Sequence, residues 1–337
     1  MNHIAAHRSA AAGSADPSSD PTGFRSASVS VGGPSARTAL LVIDTSTDAC
    51  AVAVCLPLPL SDTSPPVSPA VAAAADMAAS EITTITIRDD IVAGARIVAC
   101  WRRTGAVSSE ALLPMVQAVL DAAGIALPSC GAIAFGAGPG SFTGVRTATG
   151  AAQGLAFAND MPVVPLDTLM ACAESARLRA APHVRPRRVY VAVDARMGEC
   201  YAAAFGWEAD GGWRVEIDAH VAPPQHLQAP PASWSAAPSN ASDSATADRA
   251  AGFVLAGNAA AIFGDALPLR AQASACDEAA WPEPLALAAL GWRAWHAGAA
   301  VPAAMAQPRY VRDKVALTTK ERLAAKEAKS VSKEAGA

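Results

Sequence analysis

Apolar residues along this chain fall into short continuous runs and broad helical stripes, separated by turn chemistry. Ala39 to Asp44 (ALLVID) is an unbroken apolar run ending in a carboxylate, and Cys50 to Leu56 (CAVAVCL) reads as its return strand across the polar turn Thr45-Ser46-Thr47-Asp48. Ala95 to Trp101 (ARIVACW) supplies a third strand. Ser108 or Ser109 then opens a helix to about Ala123, stopped by Gly124, with Leu112, Leu113, Val116, Val119 and Leu120 on a wide apolar face. Ala132 to Phe135 is a buried strand, residues 142–158 a second helix, and Pro162 to Leu166 another strand. Asp167 or Thr168 caps a third helix through Ala180. Three hairpin strands followed by helix, strand, helix, strand, helix is the order of a ribonuclease-H-like domain with a mixed sheet.

The pattern then restarts. Val189 to Asp194 (VYVAVD) and Glu199 to Phe205 (ECYAAAF) repeat the plan of the first hairpin, with Trp213 to Ile217 as third strand. Phe253 to Ala256 is a further strand, Gly257-Asn258 begins a short helix, and Leu285 to Ala297 is a longer one. The repetition predicts an internal duplication.

Between the strand Ala132 to Phe135 and the second helix lies the densest turn, within GAIAFGAGPGSFTGVR over residues 131–146. Gly136, Gly138 and Gly140 allow close backbone approach, Pro139 stiffens the loop, and Ser141 or Thr143 can cap the next helix. A helix N-terminus behind such a turn is an anion-binding arrangement. The lysine of a P-loop and the Rossmann glycine spacing are both missing. A tight connection that binds nothing is the alternative. The second helix carries Gly144, Ala148, Ala151 and Ala152, whose small side chains admit a close neighbour from this chain or another.

Boundaries follow from composition. Residues 1–37 are rich in Ser, Ala, Gly and Pro and are expected to form a disordered leader, so His3 and His7 make no metal site there. The first domain is expected over 38–180, with 57–94 as an insertion. The second spans 187–300, with 228–250 a loop, and 301–337 is a polar tail. The net charge of −4 argues against a broad nucleic-acid face. Seven scattered cysteines without a CxxC pair point away from zinc knuckles and disulfides, and no apolar run is long enough to span a bilayer. A cytoplasmic protein is expected.

IDTSTDACAVAV, LLPMVQAVLDAAGI, GAGPGSFTGVRTATGAAQGLA, VAVDARMGECY and PRYVRDKVA together resemble the TsaB family, also called YeaZ, in order over roughly residues 38–320. GPGSFTGVR and DARMGE are the specific signals. The resemblance implies an α/β fold of the actin-like ATPase (ASKHA) type, with two ribonuclease-H-like domains whose mixed sheets are flanked by helices. It also implies a non-catalytic subunit that pairs with its paralogue TsaD, joined by the ATPase TsaE, for threonylcarbamoyl transfer to N6 of the adenosine beside the anticodon in tRNA. No cofactor is then expected for the chain's own chemistry. ATP and metal belong to the partner subunits, and tRNA is met through the complex. The family's interface helices match residues 109–123 and 142–158, which makes Leu112, Leu113, Val116, Leu120, Gly144, Ala148, Ala151 and Ala152 the expected TsaD contacts. Without TsaD the same face would be open to a homodimer. Gly138, Pro139, Gly140, Ser141, Thr143 and Arg146 form the glycine loop and a candidate nucleotide edge, with Arg146 either a plain surface arginine or a contact to an acidic group on TsaD or to a nucleotide at the subunit junction. Thr168 and Cys172 stand where TsaD-type enzymes carry a metal-binding histidine pair, so no metal or catalytic residue is expected. Arg196 and Glu199 are expected to pair with each other. The rival function is an ATP-dependent small-molecule kinase of the same fold, with Asp44 and Asp194 around Mg²⁺ and Gly257-Asn258 near adenosine.

Overall fold

The computed structural model describes residues 37–58, 85–105, 108–208, 212–234 and 252–312. The predicted leader, most of the 57–94 insertion, most of the 228–250 loop and the tail beyond Arg312 lie outside the described residues.

The first sheet holds β1 (Ala39–Asp44), β2 (Ala49–Pro57), β3 (Thr86–Val92), β4 (Ala95–Arg103), β5 (Cys130–Gly138) and β6 (Val163–Asp167) in the order β3-β4-β2-β1-β5-β6. β1, β2 and β4 form an antiparallel meander, while β5 and β6 run parallel to β1. The second sheet holds β7 (Arg188–Asp194), β8 (Cys200–Trp207), β9 (Trp213–Ala222), β10 (Val254–Ala256) and β11 (Ala275–Asp277) in the order β11-β10-β7-β8-β9. A three-strand meander with two parallel strands beyond its first member occurs in both. The duplicated ribonuclease-H-like plan is present, and with it the ASKHA fold.

β3 is an addition. Its residues fall inside the stretch expected to be a surface insertion, yet TIRDDIV pairs antiparallel with β4 as the sheet edge. The Arg88–Asp90 and Arg96–Asp89 ion pairs along it are the charged dressing that protects an edge strand.

Strand alternation assigns the faces of the first sheet. Leu41, Ile43 and Val52 meet α1 (Ser108–Ala123) and α2 (Phe142–Ala158) on one side. Leu40, Val42 and Ala53 meet α6 (Pro284–His296) on the other. The sequence placed this last helix with the second half. Its Leu287, Leu290 and Trp292 pack instead on the first sheet, and Gly291 is what lets it approach Leu40 and Ala134. The short helices α4 (Ala259–Phe263) and α5 (Leu269–Gln272) cover the outer face of the second sheet with Trp234 and Phe253.

Between the sheets lies α3 (Thr168–Arg179), buried on nearly every side. Leu169, Cys172 and Ala176 pack on Val189, Val191 and Phe205 of the second sheet, while Ala171 joins the core of the first. A helix with no exposed face must also satisfy its polar side chains internally. Glu174 is fully buried and accepts from Arg177 (2.8 and 2.9 Å), from Arg293 of α6 (2.9 Å) and from the Trp213 indole of β9 (2.9 Å). Burial opposes its charge, but the two guanidiniums prevail and hold the carboxyl below its ordinary range. Arg177 also lies 3.7 Å over the Trp207 ring. One carboxylate thus joins three elements from both halves.

Candidate functional site

The carboxyl ends of β1, β5 and β7 open on a cleft of about 680 Å³ between the two halves. Its floor is the turn after β1. Asp44 is 1% exposed and accepts from the Ser46 amide (3.2 Å) and hydroxyl (3.0 Å). Burial pushes its pKa up to about 7 against the lowering effect of Ser46. The Thr45 hydroxyl donates to the Gly144 carbonyl at 2.7 Å, and the Ser141 amide donates to the Ser46 carbonyl at 2.7 Å.

These contacts redefine the glycine loop. A Cβ at Gly140 would strike the Ser46 carbonyl, and one at Gly144 would strike that of Thr45. Both glycines are required by the close passage of this chain's own hairpin tip. Gly138, at φ 108°, ends β5 opposite Asp167 and passes close to the main chain of Arg309. Thr168 donates to the Pro139 carbonyl (2.5 Å), and Ser141 caps α2 by accepting from the Gly144 amide. Thr143 is exposed in the first turn of α2.

Across the cleft, Asp194 ends β7 and is engaged at once. It accepts from the Arg196 amide (2.9 Å) and guanidinium (3.2 Å), while the Asp194 amide donates to Asn258 (2.9 Å). Arg196 also lies 3.8 Å from Asp48 on the opposite hairpin tip. The expected Arg196–Glu199 pair does not form. Arg196, Met197 and Gly198 all take positive φ (63°, 59° and 77°), which folds Arg196 back over Asp194, and Glu199 pairs with Arg312 at 2.6 Å.

Residues 306–312 cross the mouth as a strap. The Arg309 amide donates to the Ala137 carbonyl (2.7 Å), and its side chain pairs with Asp167 (2.6 Å). Tyr310 stacks beside Phe142 with centroids 5.6 Å apart and accepts from Arg146 at 2.6 Å. Arg146 lies 3.7 Å over the Phe142 ring. It therefore anchors the strap, a role that spacing along the chain gave no sign of.

The kinase alternative calls for Asp44 and Asp194 around Mg²⁺, and both carboxylates are engaged within the chain. Asp44 is buried, with its pKa raised to about 7 by desolvation, and Asp194 is bound to Arg196.

The helix faces need correction too. Leu112, Val116 and Leu120 are buried in the core beneath α1, and Gly144, Ala148 and Ala152 beneath α2. Burying each of the three large side chains contributes roughly 1.5–3 kcal/mol to this chain's own fold, so they are not free to meet a second chain. Of the eight expected contacts only Leu113, 55% exposed, and Ala151, half-buried, reach the surface. The outward stripe of α2 is Gly150, Ala151 and Gly154, flanked by exposed Phe157. A Cβ at Gly150 or Gly154 would meet nothing within 4 Å.

With this geometry in place, similarity to known proteins becomes informative. The family model described as "TsaD: tRNA N6-adenosine threonylcarbamoyltransferase" matches residues 104–327. The solved YeaZ from Pseudomonas aeruginosa aligns with a TM-score of 0.59 at 30% identity, over 81% of this chain and 99% of that one. The chain belongs to the TsaB/YeaZ family. Two curated relatives carry the name tRNA threonylcarbamoyladenosine biosynthesis protein TsaB. That of Escherichia coli strain K12 is 38% identical over 148 residues, 44% of this chain. That of Haemophilus influenzae is 42% identical over 125 residues, 35% of this chain. The matched stretches span 60% and 51% of those relatives' own lengths.

As a TsaB/YeaZ member the chain has Thr168 and Cys172 on α3, and both are committed internally. Thr168 bonds Pro139, and the buried Cys172 thiol is held well above its ordinary range by desolvation. Among the described residues no group of three or more His, Cys, Asp or Glu could hold a metal ion, and no helix is long and apolar enough to cross a membrane.

Proposed function

We propose that this chain is a non-catalytic, cytoplasmic subunit in the biosynthesis of threonylcarbamoyladenosine in tRNA. It pairs with a TsaD-type paralogue, and the pair is served by a TsaE-type ATPase. ATP and metal reside on those partners, and tRNA is met through the assembly. The relatives named TsaB support the pathway. The observation that carries the subunit role is the outward face of α2, where Gly150, Ala151 and Gly154 leave the helix bare beside exposed Phe157. Glycine in an exposed helix interior costs about 1 kcal/mol relative to alanine, which favours a reading in which bulk is kept away so that a partner helix can approach. A homodimer through the same face is the arrangement proposed for the free chain.

Reconstitution tests this. TsaC, TsaD, TsaE, threonine, bicarbonate, ATP and unmodified tRNA are combined with and without the chain. Modification that depends on it, and that fails when it replaces TsaD, supports the role; modification indifferent to it refutes the role. Gly154→Leu sharpens the result. The change favours the helix by up to about 1 kcal/mol, so the melting temperature should hold or rise while TsaD binding and modification are lost. Unchanged affinity would remove this face from the interface. Ala148→Phe or Ala152→Phe would serve poorly, because both positions are fully buried.

A further inference from the structure

Beyond its polar turns the cleft reaches an aromatic end at Trp101 and Trp281. We propose that this end binds a planar aromatic anion of mononucleotide size, stacked against Trp101 and Trp281 with its charge at Arg103. The proposal is independent of the pairing role.

Trp101, Arg103 and Trp281 line both the main cleft and an adjoining recess of about 430 Å³, so they stand where the two spaces meet. Trp101 and Arg103 are two apart on β4 and share one face of the strand. Both sit on rigid supports. β4 holds Trp101 in register with Ala51 of β2. The Ser175 hydroxyl donates to the Trp281 carbonyl and accepts from the Glu283 amide at 3.3 Å, which pins the main chain around Trp281. Two indoles lining the same opening offer stacking area, and their anchored main chain lowers the ordering needed on binding.

The charge pattern selects an anion. Arg103, Arg196, Arg309 and Arg312 line the cleft, against Asp48 and Asp194. Arg196, Arg309 and Arg312 are spent on ion pairs. Among the described residues no side-chain hydrogen bond or ion pair engages Arg103, and it is exposed. It is the guanidinium left to meet a ligand. The cleft volume lies within the range of small-molecule sites. Recognition at this end rests on stacking and one charge contact.

The full chain would be titrated with AMP, adenosine and inorganic phosphate, followed by tryptophan fluorescence and calorimetry. AMP should bind saturably, with adenosine and phosphate each about tenfold weaker or more, since each offers only one of the two contacts. Arg103→Gln should bring AMP to the level of adenosine and leave adenosine unchanged, and Arg103→Lys should fall between. Trp281→Leu should weaken AMP and adenosine alike, with circular dichroism confirming the fold of each variant. Added Mg²⁺ should not tighten binding. The proposal is overturned if AMP gives no saturable response below about 1 mM, or if Arg103→Gln binds it as well as the parent does.

Discussion

Asp44 is a carboxylate held where its charge is poorly tolerated. It is buried, and its pKa rises from 3.8 to about 7 chiefly through desolvation. Its charged-form neighbours would be the thiolates of Cys50 and Cys172, but burial raises both thiols, so Asp44 is the member that titrates. The sign follows from linkage. Below pH 3.8 the folded and unfolded chains both hold the proton and stability is undiminished. Between there and about 7 the unfolded chain releases it while the folded chain keeps it, so stability falls as pH rises through that window. Asp44→Asn keeps the shape without the charge, and its amide can donate to the Ser46 hydroxyl. The variant should melt higher than the parent near pH ~8, with the gap closing toward pH ~4. A lower melting temperature at the alkaline end would show that the ionised carboxylate is stabilised by the fold instead.

At the scale of elements, α3 is the joint of the molecule and Glu174 its polar centre. Glu174→Gln would leave Arg177 and Arg293 facing a neutral group in a buried setting. Loss of one partner from such a cluster costs about 3–5 kcal/mol, which denaturant unfolding would read, whereas breaking the exposed Arg214–Glu208 pair should leave unfolding nearly unchanged. Nothing local announced this cluster. Glu174 and Arg177 are an ordinary helical i,i+3 pair in sequence, and Arg293 joins them from 119 residues away. The helices and paired strands were legible because apolar period and turn residues are local signals, and α2 begins and ends where the pattern places it. The destination of an apolar face is a different matter. The stripe Leu112, Val116, Leu120 reads the same whether it meets a sheet or a partner, and the sheet took it. α6 is apolar around most of its girth, so its pattern could not say which sheet it covers. β3 was hidden because an edge strand carries charges where a buried strand carries valines. In the glycine turn the small residues were legible, but not what they admit. They receive the chain's own hairpin, and only the fold brings Thr45 to Gly144.

For the whole molecule, the question is what holds the two halves around the cleft. α3 and Glu174 tie them at the base, and residues 306–312 tie them at the mouth. The strap's two arginines differ in what surrounds them. Arg309 is 44% exposed and pairs with Asp167 in the first half, a contact that solvent weakens. Arg312 is 13% exposed and reaches the second hairpin through Glu199 (2.6 Å) and the Arg196 carbonyl (3.5 Å), with its guanidinium 5.7 Å over Tyr201. Desolvation makes the second set of contacts the stronger. Arg312→Ala should therefore lower amide-exchange protection in residues 194–200 as well as in the strap, leaving β1 and β5 unchanged. Arg309→Ala should loosen the strap alone, because its main-chain bond to Ala137 survives the substitution. If both variants exchanged like the parent around residues 194–200, the strap would merely lie across the cleft, and closure would rest on α3. Loss of protection in β1 as well would mean that the mouth and the core open together, as one cooperative unit.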